Sequence, residues 1–198
     1  MPKMQYVRRK QEVKNTFIDH FEKSLGEIEK GWRISTLSRD IQVVKSHPEY
    51  FDGVVAYSTL GLSSRPYRLK NSEKNIRCEL FLLIPQEYKF SHIPSIFEDV
   101  VNIMDSEGNA FSRGDIIGPK GELFKGYRFT SLYVAPSFVL PDFANEFLIE
   151  GNEVIFIWLV PITTSECEFV KNQGWEMFEN RLEEDDVDAV DIERSAVV

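Results

Sequence analysis

Apolar residues recur at helical spacing near the start of the chain and again in its middle. Between Lys10 and Lys30 they come every four residues, which is typical of an amphipathic helix, and Gly26 and Gly31 indicate where it frays and ends. A proline followed by apolar positions from 96 to 104 predicts a second helix that closes near Gly108. The apolar positions of the first helix are Val13, Phe17, Phe21 and Leu25, with Ile18 and Ile28 beside them.

A third helical stretch begins with a capping box. In the sequence Thr-Thr-Ser-Glu at 163–166, the Thr163 hydroxyl and the Glu166 carboxylate can each satisfy a free backbone N–H at a helix start. The helix that follows is interrupted near Gly174. Its second half places three large apolar side chains on one side: Trp175, Phe178 and Leu182.

Short β-branched segments predict strands between these helices. Residues 41–44 and 54–60 indicate two strands joined through a turn at Ser46-His47-Pro48, and Gly61 then turns the chain. Residues 76–84 are wholly apolar on one face and partly apolar on the other, which predicts a central strand.

The second half of the chain adds a loop and two more strands. Residues 109–126 are rich in glycine and proline and predict a loop, while residues 126–135 predict a strand. Residues 154–160 are so uniformly apolar that their strand is expected in the middle of the sheet, with Trp158 anchoring the core.

These elements alternate irregularly, so they predict an α+β fold: a mixed, mostly antiparallel sheet with helices packed on it. The 198 residues suit one domain, 1–198, in which residues 183–191 form an acidic link to a short final strand. A Rossmann fold is not expected, because no glycine-rich strand-to-helix turn occurs early in the chain.

Composition narrows the function. A formal net charge of -9 and a pI near 5.0 disfavour nucleic acid and favour a cationic protein partner. Cys78 and Cys167 are the only cysteines, too few for a disulfide framework or a zinc quartet. No apolar run approaches the roughly 20 residues of a membrane span. We therefore expect a cytoplasmic protein without membrane contact.

No catalytic residue, cofactor or metal site is predicted. The three histidines, His20, His47 and His92, have neither the spacing of a metal motif nor a nucleophile beside them, and His20 is expected to face solvent. The enzyme alternative uses Glu79 or Asp115 with a histidine that folding brings near.

Glu79 interrupts an apolar strand, so its carboxylate must be paired or hydrogen-bonded. We expect a structural role, as an ion pair with Arg194 or Arg113 or as a tie to the backbone. Gly114, between Arg113 and Asp115, is expected to set loop geometry.

Two charged segments carry further alternatives. Residues 183–191 hold many carboxylates, which indicates a solvated acidic face or a surface that attracts a basic partner. Lys120 to Tyr127 combines lysines with aromatic residues and gives a weak nucleic-acid alternative.

Six segments, in this order along the chain, resemble the suppressor-of-fused family. The most recognisable are Tyr57 to Ser63, an aromatic strand running into Gly-Leu-Ser, and Arg77 to Ile84, a central strand containing Glu-Leu. The others are a Ser-Gly-Asp-like loop at Phe111 to Asp115, the strand Val154 to Pro161, the helix Thr164 to Leu182 and a closing Asp-x-x-Arg strand at Asp188 to Val197.

The resemblance implies a protein that binds other proteins and is not an enzyme. Stand-alone domains of this size resemble bacterial immunity proteins, which neutralise a polymorphic toxin by binding it, so the implied partner is a cognate toxin, basic and possibly a nuclease. A regulatory or chaperone-like module for an endogenous protein is the alternative.

The resemblance also implies a partner surface. Tyr57 matches a family position near the partner groove, and Arg65 and Tyr67 are expected in the exposed loop just beyond it. The acidic segment gives a second candidate surface, made of Asp185, Asp186 and Asp188.

Overall fold

A mixed ten-stranded sheet organises the part of the chain that the computed structural model describes, residues 17–36, 40–70, 72–145, 147–149 and 152–198. The strands in chain order are β1 (Glu27–Ser35), β2 (Asp40–His47), β3 (Val54–Leu60), β4 (Tyr67–Leu69), β5 (Asn75–Pro85), β6 (Asn109–Ala110), β7 (Ile116–Ile117), β8 (Phe129–Pro136), β9 (Phe147–Ile149) and β10 (Asn152–Thr163). The main path runs β1-β2-β3-β5-β10-β8-β7. Of these pairs only β5 with β10 is parallel, so the sheet is mostly antiparallel as predicted.

Helices cover both faces of the sheet. They are α1 (residues 17–25), α2 (Ile93–Glu107), α3 (Thr164–Gln173) and α4 (Trp175–Glu184). The apolar face of α2 packs with Leu80 and Leu82 of β5, while Phe81 and Leu83 of the same strand belong to a second cluster with buried residues of α1, α3 and α4. The α+β class is therefore confirmed. The central positions of β5 and β10 in the strand order are confirmed as well, and they explain why both strands are apolar on their two covered faces.

The first helix ends earlier than its pattern predicts. Its described part stops at residue 25, and β1 begins at Glu27, so Ile28 lies in a strand. Gly26 has a φ of +88°, and a Cβ there would lie 2.0 Å from the carbonyl oxygen of His47. Only glycine fits at this position, because it has no Cβ and adopts a positive φ readily, and the chain turns there from helix into strand. Val13 lies outside the described residues.

The third helical stretch matches its prediction. The backbone N–H of Glu166 donates to the Thr163 hydroxyl at 3.3 Å, and the backbone N–H of Thr163 donates to the Glu166 carboxylate at 2.8 Å. Gly174 then separates α3 from α4. Of the predicted apolar side, Phe178 is fully buried and Trp175 and Leu182 are partly buried.

The predicted final strand does not form. Residues 185–198 are turns and irregular chain, and side-chain contacts hold them in place. Arg194 donates to the buried Glu166 carboxylate and, at 3.0 Å, to the carbonyl oxygen of Pro161, while Ile192 packs in the core. The expected loop at 109–126 holds two very short strands, β6 and β7. No helix in the described ranges is long and apolar enough to cross a membrane.

Candidate functional site

Glu79 is a structural tie to the backbone, which is one of the two structural roles predicted for it. Its fully buried carboxylate accepts the backbone N–H groups of Gly61 and Ser63, each at 3.0 Å, and of Leu62 at 3.2 Å. The hydroxyls of Thr59 and Ser63 also donate to it, each at 2.7 Å. Burial raises the pKa of Glu79, and these donors act in the opposite direction.

The predicted arginine partners of Glu79 are wrong. Arg194 pairs with Glu166, and Arg113 pairs with Glu179. Glu79 instead fixes the turn that Gly61 begins with a φ of +105°. Four donors from the turn at residues 61–63 and one from Thr59 at the end of β3 satisfy the buried carboxylate without a cation.

The first predicted partner surface is largely buried. Tyr57 is only 6% exposed and stacks on Trp32, with ring centroids 6.0 Å apart. Tyr67, predicted in an exposed loop, lies in β4 at 2% exposure. Its hydroxyl donates to Asp105, which also pairs with the half-exposed Arg65. The contacts of these three residues are within the fold, and of the three only Arg65 has substantial exposed surface that a partner could contact.

A cleft of about 970 Å³ lies on the sheet face that carries α1, α3 and α4. We name it the acid-rimmed cleft. Four segments line it: residues 50–54 between β2 and β3, residues 133–139 at the end of β8, Trp158 and Val160 of β10, and residues 179–190 of α4 and the turn after it, with Arg113 beside them.

Aromatic rings form much of the cleft wall. Phe138 is 62% exposed and Tyr50 is 50% exposed, whereas such large apolar rings are usually buried. The Phe138 ring packs nearly perpendicular to that of Trp158, with centroids 5.5 Å apart. Trp158 is buried in the core as predicted, and its Nε1 has no hydrogen-bond acceptor among the described residues.

One polar network closes the wall between β8 and α4. The Tyr133 hydroxyl donates to Glu179 at 2.6 Å, and the Nε of Arg113 donates to the same carboxylate at 3.1 Å. Burial and the bond to Glu179 raise the pKa of Tyr133. Arg113 also lies over the Trp175 ring, 4.2 Å from its centroid.

Carboxylates dominate the rim. Asp52, Glu183, Asp186 and Asp188 line the cleft and are exposed, and Asp185 lies next to them in the chain. The structure thus brings part of the predicted acidic surface to an aromatic cleft, which the acidic sequence alone did not indicate. Gly114 supports this region, since a Cβ there would lie 2.6 Å from the Trp175 ring.

The candidate catalytic groups do not assemble. Asp115 accepts the backbone N–H of Ser112 at 2.8 Å, which makes it a loop residue. His47 contacts Glu29, and His92 contacts the carbonyl oxygen of Leu123. Neither Glu79 nor Asp115 has a histidine among its hydrogen-bond partners in the described ranges. In that part of the chain, no group of three or more His, Cys, Asp or Glu residues is placed to hold a metal.

His20 differs from its prediction as well. It is half-buried and stacks on Phe147, with ring centroids 4.0 Å apart, instead of facing solvent. Burial lowers its pKa, so the neutral ring is favoured.

A family model described as "Suppressor of fused protein (SUFU)" matches residues 37–195. The chain belongs to the SUFU family. The SUFU match spans the sheet from β2 onward, together with α2, α3, α4 and the segment that holds Arg194.

Solved structures show the same fold. A SUFU homologue from Neisseria gonorrhoeae matches 97% of this chain and 98% of its own, with a TM-score of 0.72 and 19% identity. The Sufu protein of a Sufu–Fu complex matches 92% and 91%, with a TM-score of 0.63 and 15% identity. Drosophila Suppressor of Fused matches 80% of this chain over 42% of its own, with a TM-score of 0.56 and 15% identity. A comparison with curated proteins finds no match.

The aromatic side of the cleft in this SUFU domain is not predicted from its sequence. Phe138 lies in the run Pro-Ser-Phe-Val-Leu-Pro at 136–141, where two prolines bracket apolar residues. Proline has no backbone N–H and is disfavoured inside helices and central strands. A short apolar run between two prolines is therefore typical of a loop that carries apolar side chains. Tyr50 and Glu179 carry no comparable pattern, because only folding brings them together.

Proposed function

We propose that this SUFU domain is a non-enzymatic immunity protein that neutralises a cognate protein toxin by direct binding in the cytoplasm. The acid-rimmed cleft is the observation that carries the proposal, because it joins exposed aromatic rings to a rim of carboxylates. Aromatic residues are enriched in the buried centre of protein interfaces, and charged rims accelerate association with a partner of opposite sign.

The charge of the chain favours a basic partner. With a net charge of -9, the domain repels nucleic acid and attracts a cationic protein such as a nuclease. The weak nucleic-acid alternative loses further support, because Lys120 pairs with Asp99 at 3.1 Å. The Sufu–Fu complex, in which a relative of the same fold is bound to a second protein, supports protein binding as the mode of action.

Co-expression tests the proposal. The toxic domain of a polymorphic toxin encoded beside this chain should stop growth when it is expressed alone, and co-expression of the chain should restore growth. A catalytically dead form of the same toxin should co-purify with the chain at a fixed ratio. Growth arrest that persists although both proteins are made, together with the absence of a complex, contradicts the proposal. A complex with an endogenous protein that is not toxic supports the regulatory alternative.

A further inference from the structure

We propose that the acid-rimmed cleft binds a segment of the partner protein in which a bulky apolar side chain is flanked by lysine or arginine residues. The apolar side chain packs against Phe138 and Trp158, and the flanking cations pair with the carboxylates of the rim. This assignment rests on the proposed function for the presence of a protein partner, and it adds the site and the chemistry of recognition.

The exposed rings provide the place for the apolar side chain. Five large apolar side chains of the described residues are exposed, and two of them, Phe138 and Tyr50, line this one cleft. Removal of an exposed aromatic ring from water favours binding of a partner that covers it. A cleft of about 970 Å³ is also at the upper end of the size of pockets that enclose small ligands, so it has room for several residues of a chain.

The charges of the rim determine the flanking residues. Five carboxylates and one guanidinium line the cleft, and that guanidinium, Arg113, is already paired with Glu179. No other positively charged side chain of the described residues lines the cleft to pair with the remaining four acids, which are exposed: Asp52, Glu183, Asp186 and Asp188. Cations on both sides of an apolar anchor would compensate these charges, whereas phosphate groups or an anionic lipid surface would be repelled.

The Trp158 indole supplies a directional contact. Its Nε1 is buried and has no acceptor in the described part of the chain, which is costly for an amide-like donor. When the Phe138 ring, which packs on the indole, turns aside to contact the incoming side chain, a backbone carbonyl of the bound segment can accept this hydrogen bond. The contact favours an extended peptide over an isolated cationic side chain.

Three fluorescein-labelled peptides test the recognition chemistry with the purified chain. The first is Gly-Lys-Arg-Phe-Lys-Arg-Gly, the second has Ala in place of Phe, and the third has Glu in place of every Lys and Arg. We expect the first peptide to bind about tenfold more tightly than the second, and the third not to bind. Equal binding of the first two peptides, or no binding of the first, overturns the proposal.

Matched variants locate the binding site. Phe138→Ala and Glu183→Lys should each weaken binding of the first peptide by about fivefold or more. Leu148→Ala, which removes an equally exposed apolar side chain, and Glu168→Lys, which reverses an exposed acid on α3, should leave binding within about twofold. If all four variants bind the peptide alike, the site is elsewhere and the proposal is wrong.

The indole resonances give a second readout. In a proton–nitrogen correlation spectrum, addition of the first peptide should shift the Nε1 signal of Trp158, assigned with Trp158→Phe. The signal of Trp32, which packs with the opposite face, should stay in place. An unmoved Trp158 signal at saturation contradicts the hydrogen bond.

The two proposals fail in distinguishable ways. If the toxin is neutralised by the wild type and equally well by Phe138→Ala and Glu183→Lys, the cleft assignment is wrong while the function stands. If the first peptide binds in the cleft but the toxin forms no complex, the immunity function is wrong while the recognition chemistry stands.

Discussion

The Tyr133 hydroxyl lies 2.6 Å from the Glu179 carboxylate and joins strand β8 to helix α4 across the wall of the acid-rimmed cleft. The bond is largely shielded from solvent, and Glu179 holds Arg113 through its other contacts. Tyr133 therefore couples the sheet to the helix that carries part of the acidic rim.

Removal of this bond should destabilise the fold. We expect Tyr133→Phe to lower the free energy of unfolding by about 1–2 kcal/mol, because the Glu179 carboxylate loses a donor and keeps Arg113. Urea unfolding followed by circular dichroism measures the change, with Tyr50→Phe as the control for loss of an exposed hydroxyl. Equal stability of Tyr133→Phe and wild type would show that the bond is not formed in solution.

Tyr133 should also make stability sensitive to alkaline pH. Its pKa in the fold is raised by burial and by Glu179, while in the unfolded chain it ionises near pH 10. The unfolded chain therefore releases the proton first, and stability falls as the pH rises above about 10. Tyr133→Phe should show a smaller fall between about pH 9 and 11 than wild type does.

Glu79 gives a graded test of a buried tie. In the wild type, the backbone N–H of Leu62 donates to one carboxylate oxygen of Glu79, and those of Gly61 and Ser63 donate to the other. In Glu79→Gln one of these oxygens is replaced by an NH₂ group, so in either orientation of the amide at least one backbone N–H faces a donor. We expect a loss of about 1–3 kcal/mol, and a larger loss for Glu79→Leu, which leaves all three N–H groups unpaired. Chemical denaturation measures both variants. Unchanged stability of Glu79→Leu would mean that Glu79 has no structural role.

Two glycines separate steric conflict from backbone strain. Gly114 and Gly121 have similar φ values, +88° and +85°, but a Cβ at Gly114 would lie 2.6 Å from the Trp175 ring, whereas nothing lies within 4 Å of one at Gly121. Gly121→Ala should cost about 1 kcal/mol from backbone strain alone. Gly114→Ala should cost more and should alter the near-ultraviolet circular dichroism of the aromatic residues. Equal costs would show that Trp175 moves aside freely.

The sequence predicts local features of this fold better than long-range ones. Hydrophobic periodicity locates β5, α2 and β10, and the Thr163 to Glu166 capping box is found at the expected atoms, because these features depend on neighbouring residues. Gly26 is recognised as a point where the first helix frays, but the apolar pattern carries the helix on toward Lys30, since the need for glycine at 26 comes from the carbonyl of His47, about 20 residues away.

Charged partners are predicted less well for the same reason. The sequence requires that Glu79 be satisfied, but it cannot show that residues 59–63, about 20 positions earlier, supply five donors and leave Arg194 for Glu166. The acidic residues of the rim are recognised as a candidate surface, whereas the aromatic cleft beside them forms only when segments 50–54, 133–139 and 179–190 meet.

Reversal of the predicted acidic surface, which includes the rim residues Asp186 and Asp188, should slow partner binding. With Asp185, Asp186 and Asp188 changed to lysine, we expect a slower association rate for the toxin domain and a weaker dependence of that rate on salt, because steering by opposite charges is lost. Stopped-flow measurements at low and high ionic strength test this. Reversal of Glu87, Glu107 and Glu168, which are exposed and do not line the cleft, is the matched control. Identical wild-type rates at both salt concentrations would remove the steering effect.

Titration of an active toxin domain with the purified chain tests the central claim most directly. A binding inhibitor should reduce toxin activity in proportion to the amount added, reach complete inhibition at a fixed molar ratio, and release active toxin when the complex is dissociated in denaturant and the toxin is refolded. Inactivation of a large excess of toxin by a small amount of the chain, with covalently altered toxin recovered, would show catalysis and contradict the account.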